Sequence, residues 1–136
     1  MYVIGGYSNG YNEEQGVPAT TVLVYDTKQG KWTNVSSDAL SKPRAEACAA
    51  AVDGKIYVVG GFKANHTPTD TIEQFDPATG NWTEVGKTSD ALGNVGCAGL
   101  GGVLYIAGGT PTWQGACALV VLGDVDVCAV WCKRCW

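Results

Sequence analysis

A chain of 136 residues with a net charge of −4 offers no basic surplus to neutralise phosphates, which argues against a nucleic-acid binder. Hydrophobic residues make up 46% and charged residues 16%, the balance of a chain that buries a large fraction of itself rather than staying disordered. The longest apolar run, Ala116 to Leu122, falls far short of the roughly twenty residues of a membrane helix, and no signal peptide precedes the first strand. A cytoplasmic protein with no membrane partner is the expectation.

From the N-terminus, Tyr2-Val3-Ile4 reads as a strand ending on Gly5-Gly6. The loop Tyr7 to Thr20 follows, five residues longer than its counterpart after Gly61. It carries Tyr7, Tyr11, Glu13 and Glu14, aromatic anchors mixed with acid, which makes these four candidates for contact with a partner. Gly6-Tyr7-Ser8-Asn9-Gly10 matches the G-x-S-x-G nucleophile elbow, but no helix follows it. The only histidine, His66, does not come after an acid partner in chain order, so a serine hydrolase is not expected. Thr20 to Val35 then contains Tyr25-Asp26, Gly30 and Trp32.

The next stretch is the most legible. Ala45 to Val52 is small and apolar, as suits a strand buried on both faces. Asp53-Gly54 is a two-residue turn, and Lys55 to Gly61 completes a hairpin. The loop from Phe62 to Pro68 offers Phe62, Lys63 and His66 as further candidates for partner contact. In Thr71 to Asp76 the residues alternate with the period of two expected of a sheet. Asp76-Pro77-Ala78-Thr79-Gly80 is a turn in which Asp accepts backbone N–H bonds, Pro presets φ and Gly supplies φ > 0. Asn81 to Val85 is a short fourth strand. Asp70 to Val85 aligns without gaps on Thr20 to Val35, with six of sixteen residues identical.

Tyr105-Ile106-Ala107-Gly108-Gly109 repeats the doublet already seen at Gly5-Gly6 and Gly60-Gly61, at spacings of 48 and 55 residues. A period near fifty marks an array of one supersecondary unit. Gly93, Gly96, Gly99, Gly101 and Gly102 lead into a strand and not a helix, so they are no phosphate loop. Cys48 and Cys97 fall in the small apolar strands and read as free thiols packing as compact hydrophobes, disulfides being disfavoured without a route to an oxidising compartment.

After Gly109 the pattern degrades, and residues 110–136 hold four of the six cysteines and three of the five tryptophans. Two readings stand: degenerate strands over Ala116 to Leu122 and Val125 to Trp131, or a splice or frameshift product. Cys117, Cys128, Cys132 and Cys135 contain only one C-x2-C pair, too little for a structural zinc site, and no metal or other cofactor is expected. The sequons at Asn34, Asn65 and Asn81 read as incidental.

Four antiparallel strands in about fifty residues make one propeller blade. The Gly-Gly doublets, the aromatic-Asp pairs and the spaced tryptophans together resemble the Kelch repeat over roughly residues 1 to 109. The resemblance implies an all-β fold, an incomplete Kelch-type β-propeller of four-stranded antiparallel blades around a channel, with the first strand of each blade innermost. Residues 1–40 would be a blade lacking its innermost strand, 41–92 a complete blade, and 93–136 a third whose first two strands are clear. Closed propellers need more blades than this, so the chain reads as a fragment, or as a subunit that self-associates through open blade edges.

In that frame Gly5, Gly6, Gly60, Gly61, Gly108 and Gly109 are positions of sharp turning or close backbone approach. The pairs Tyr25-Asp26 and Phe75-Asp76 close the third strand of each unit. Trp32 and Trp82 are expected to fill the seams between blades, burying roughly 150–250 Å² each. Arg44 occupies the position where the resemblance implies an arginine at the channel mouth, its planar fork suited to carboxylate or phosphate on a peptide; an ordinary solvated charge is the plain alternative.

The function implied is a protein–protein interaction module, the recognition part of an adaptor, the family's common uses being cullin-type ubiquitin-ligase adaptors and actin binders. Its partner would be another protein or a peptide. An enzyme is not expected. The alternative is a piece of a Kelch-type enzyme such as a sialic acid epimerase, a nitrile specifier or a galactose-oxidase-like protein, though one histidine cannot supply the imidazoles that copper wants.

Overall fold

A computed structural model describes residues 1–8, 16–36 and 40–112, which form nine strands in three antiparallel sheets. The first sheet is β1 (Tyr2–Ile4), β2 (Val22–Asp26) and β3 (Lys31–Ser36), paired in that order. The second is β4 (Cys48–Val52), β5 (Lys55–Val59), β6 (Thr71–Asp76) and β7 (Asn81–Lys87), again in chain order. The third pairs β8 (Gly93–Leu100) with β9 (Val103–Thr110). The suggested strands over Ala116 to Leu122 and Val125 to Trp131 lie outside the described residues.

Local chemistry accounts for the hairpins. Asp53 (φ 48) and Gly54 (φ 75) are both left-handed, as are Gly101 (φ 56) and Gly102 (φ 77). Two successive positive φ values define the type I′ turn, whose twist matches that of the flanking strands. In β6 the side chains of Thr71, Glu73 and Phe75 are buried while Ile72, Gln74 and Asp76 are only partly covered, which is the alternation read from the sequence. The strand expected from Ala45 starts instead at Cys48, because Glu46 is left-handed (φ 54) and breaks the extended run; Ala45 forms an isolated bridge to Phe62.

The aspartates of the aromatic-Asp pairs organise the turns that follow. Asp26 Oδ1 accepts from the N–H groups of Lys28 (2.8 Å) and Gln29 (3.1 Å), and Asp76 Oδ1 accepts from Ala78 N–H (2.9 Å). Asp76 Oδ2 also receives Lys55 Nζ, and Asp70 pairs with Lys87 at 3.1 Å. The lysine bond, then the Ala78 N–H, hold Asp76 below the usual carboxylate range, and Lys87 does the same for Asp70. A depressed carboxylate pKa gives stability that is present near neutrality and is lost as pH falls through the folded value, here below about pH 4. Urea midpoints should therefore drop between pH 6 and pH 3, and Asp76→Asn should shrink that drop. An unchanged difference in the variant would remove Asp76 from this role.

Neighbouring sheets meet along the glycine doublets. Gly6 N–H donates to Arg44 O (3.1 Å) and Arg44 N–H to Ala19 O (3.2 Å); Gly61 N–H donates to Leu92 O (2.9 Å) and Leu92 N–H to Thr69 O (3.2 Å). The same pair of bonds thus joins the first sheet to the second and the second to the third. A Cβ on Gly5 would sit 2.5 Å from the Arg44 carbonyl oxygen, and one on Gly60 would overlap that of Leu92. Close approach of main chain to main chain is what the first glycine of these two doublets provides.

Two expectations about the seams are corrected. Trp32 is 51% exposed and leans on Tyr25 of its own sheet, ring centroids 5.0 Å apart. Trp82 is half-buried and leans on Phe75 (5.0 Å), and an aromatic contact crosses from the first sheet to the second where Tyr2 meets Phe75 at 6.0 Å. Each tryptophan stands directly across from that aromatic in the strand register, Trp32 opposite Tyr25 and Trp82 opposite Phe75, so Trp82 shares the face of the second sheet from which Phe75 reaches the first. Cys48 and Cys97 are not free thiols but are joined as a disulfide between β4 and β8. Spacing along one chain could not show that adjacent blades set these two strands face to face.

The core lies at this second seam, where Cys48, Val59 and Val95 are buried with Ile72, Cys97 and Leu104 against them. Exposed apolar side chains remain on the flanking sheets: Val3 and Leu23 on the first, Leu100, Val103, Tyr105 and Ile106 on the third. Among the described residues no helix is long and apolar enough to cross a membrane.

Candidate functional site

The segments that follow the glycine doublets and those that lead into the inner strands come together at one end of the sheets. Ala45 and Phe62 exchange backbone bonds (3.0 and 2.8 Å), Thr69 N–H donates to Gly61 O (2.9 Å), and Asn94 N–H donates to Glu46 O (2.9 Å). With Gly6 N–H donating to Arg44 O from the first unit, segments of all three units meet there.

Tyr7 is half-buried and its hydroxyl donates to Glu46 Oε1 at 3.2 Å. This bond spans the loop after the first doublet and the segment before β4. Glu46 was not among the expected site residues. It and Asn94 each stand seven residues before a type I′ turn, and both are left-handed, φ 54 and φ 52. A non-glycine residue held at such φ costs of order 1–3 kcal/mol and tends to occur where function requires it. The sequence signal was the shared offset from Asp53-Gly54 and Gly101-Gly102, legible only once the two hairpins are aligned.

The other expected contacts divide sharply. Lys63 and His66 are half-buried at the ends of the 3-10 turn region, with Lys63 N–H donating to Thr67 O at 2.8 Å, and Ala64 and Asn65 are exposed between them. Tyr11, Glu13 and Glu14 lie outside the described residues. Phe62 is 0% exposed, its ring filling the space that a side chain on Gly93 would need. It keys the second sheet to the third and has no face left for a partner.

Arg44 is the principal correction. It is 1% exposed and turned into the second sheet, not toward a channel mouth. Nη1 donates to Gly60 O (3.0 Å) and Thr71 O (3.2 Å), and Nη2 to Thr71 Oγ1 (2.8 Å), with Glu73 Oε1 at 3.1 Å. Burial pushes the guanidinium pKa down and Glu73 pulls it back up; an arginine stays protonated regardless. Glu73, 0% exposed, also accepts from the Ser41 hydroxyl. A buried carboxylate next to a buried guanidinium explains why neither residue is free for a ligand. Arg44 Nε and Glu73 Oε2 find no hydrogen-bond partner among the described residues.

Antiparallel sheets of this kind, four-stranded where complete and joined through their inner strands, are the blades of a β-propeller. The chain belongs to the Kelch repeat family: the Kelch motif matches residues 1–38 and 43–89. It is 33% identical over 114 residues to the Kelch repeat protein M-T8 of Myxoma virus (strain Lausanne), covering 83% of this chain and 21% of that one. It is 31% identical over 108 residues to the human Kelch repeat and BTB domain-containing protein 13, covering 78% of this chain and 22% of the other. Human Kelch-like protein 34 is 31% identical over 146 residues, 98% of this chain and 22% of its own. The chain thus spans about a fifth of the length of these relatives. The solved structure of YjhT superposes with a TM-score of 0.70 at 19% identity, covering 82% of this chain and 41% of that one, a likeness of fold.

Proposed function

We propose that these blades form a protein-recognition surface, the binding part of an adaptor, and that the partner docks on the end of the sheets where Tyr7, Glu46, Lys63 and His66 gather. The Tyr7–Glu46 bond carries the reading, because it joins two blades through a residue held in a costly conformation at that end. A tyrosine there offers rigid contact area at small entropic cost, and the Glu46 carboxylate suits a basic side chain on a protein or peptide. Relatives that carry BTB or F-box modules beside Kelch repeats support an adaptor role. The apolar outer faces would take further blades or a second copy.

The test is affinity capture with the wild type and Glu46→Arg, with light scattering to record assembly. Charge reversal should weaken partner retention about tenfold and leave the circular dichroism spectrum intact. An identical partner set at equal recovery would overturn the placement of the site.

A further inference from the structure

Cys48 and Cys97 stand 49 residues apart in sequence and 5.8 Å apart at Cα, on the inner strands of different blades. That separation is the ordinary span of a cystine. The strands reach it because nothing projects between them: a side chain on Gly99 would overlap the Ala51 carbonyl oxygen. The two cysteines differ in burial. Cys48 is buried at 2% exposure, whereas Cys97 is only partly covered. The third sheet depends on this seam, since Leu100, Val103, Tyr105 and Ile106 are exposed on it.

We propose that the Cys48–Cys97 bond is a reversible redox lock on the seam between the second and third blades, set by exchange with a glutathione-type disulfide–thiol couple. In the closing direction Cys97 loses its proton to solvent, and its thiolate attacks one sulfur of oxidised glutathione. A mixed disulfide forms and a glutathione thiolate leaves. The Cys48 thiolate then attacks Cys97 Sγ, expelling the second glutathione and forming the protein disulfide. Two protein thiols are oxidised and one glutathione disulfide is reduced to two thiols. Opening runs the same steps backward, with attack at the less buried residue, Cys97. The lock closes a loop of about fifty residues, a long one, so its effect on stability is large.

The test uses the full chain with Cys117, Cys128, Cys132 and Cys135 replaced by Ser, equilibrated in oxidised or reduced glutathione. In the oxidised buffer the intact mass should fall by two hydrogens and peptide mapping should return Cys48 linked to Cys97. Thermal midpoints should differ by about 10 °C between buffers. Adding Cys97→Ala should abolish that difference, and because Ala49 occupies the matching position of the second blade, this variant should fold; Cys48→Ser provides a second check. Complete alkylation of both thiols after oxidised glutathione, or a linked pair with equal midpoints, would overturn the lock.

Discussion

Arg44→Ala should lower the unfolding free energy by about 3–5 kcal/mol, the usual cost of stranding one member of a buried ion pair. The guanidinium serves Gly60 O, Thr71 O, Thr71 Oγ1 and Glu73 at once, so its loss strands the buried Glu73 charge with only the Ser41 hydroxyl and leaves Thr71 O with only the Gly60 N–H. The Arg44 main-chain bonds to Gly6 and Ala19 at the first seam are retained in the variant, so the loss is that of the side chain. The double replacement Arg44→Met with Glu73→Leu removes both charges and should recover most of the loss, since buried pairs exchange for apolar groups at little net cost. Urea midpoints for the wild type, the single and the double variant at one fixed redox state check this. A single variant within about 1 kcal/mol of the wild type would mean that the guanidinium works from solvent.

Gly60→Ala should cost about 3 kcal/mol. One part is conformational, because Gly60 is left-handed at φ 61, a region that charges an ordinary residue roughly 1–2 kcal/mol. The other is steric: the new methyl would overlap the Leu92 carbonyl oxygen and crowd Val95 Cγ1, which are main chain and core of the next blade. Gly80→Ala separates the two, being left-handed at φ 74 with open space around the added carbon. It should lose only about 1 kcal/mol. Equal losses in the two variants would show that backbone strain alone accounts for the doublet and that no close approach between blades is involved.

Gly80 and Gly60 also mark what could be read before any coordinates. The turn over Asp76 to Gly80 was legible because its chemistry is local: a carboxylate accepting N–H groups two residues on, and a left-handed glycine at the close. The alternation in β6 was legible because strand geometry repeats every two residues. Both survive in the structure unchanged. Arg44 was misread because nothing in Ser41-Lys42-Pro43-Arg44 tells which way the side chain turns. Glu73 sits in the right phase of β6 to face inward, next to Phe75, and that phase was the available hint of a buried partner for a cation.

The sequence by itself therefore determined the unit, its four-stranded plan, its turns and its membership of an array, because each of these rests on neighbours a few residues away or on a repeat that recurs whole. Tertiary structure alone decided that Cys48 meets Cys97, that Arg44 meets Glu73, that Tyr7 meets Glu46, and that Tyr2 meets Phe75 across the first seam. Arg44 reaches Glu73 within the second sheet, between segments far apart in sequence; the other pairings depend on how one sheet leans against another, and the distance between sheets is fixed by glycine positions and side-chain volumes acting together, a quantity that no single stretch of chain contains.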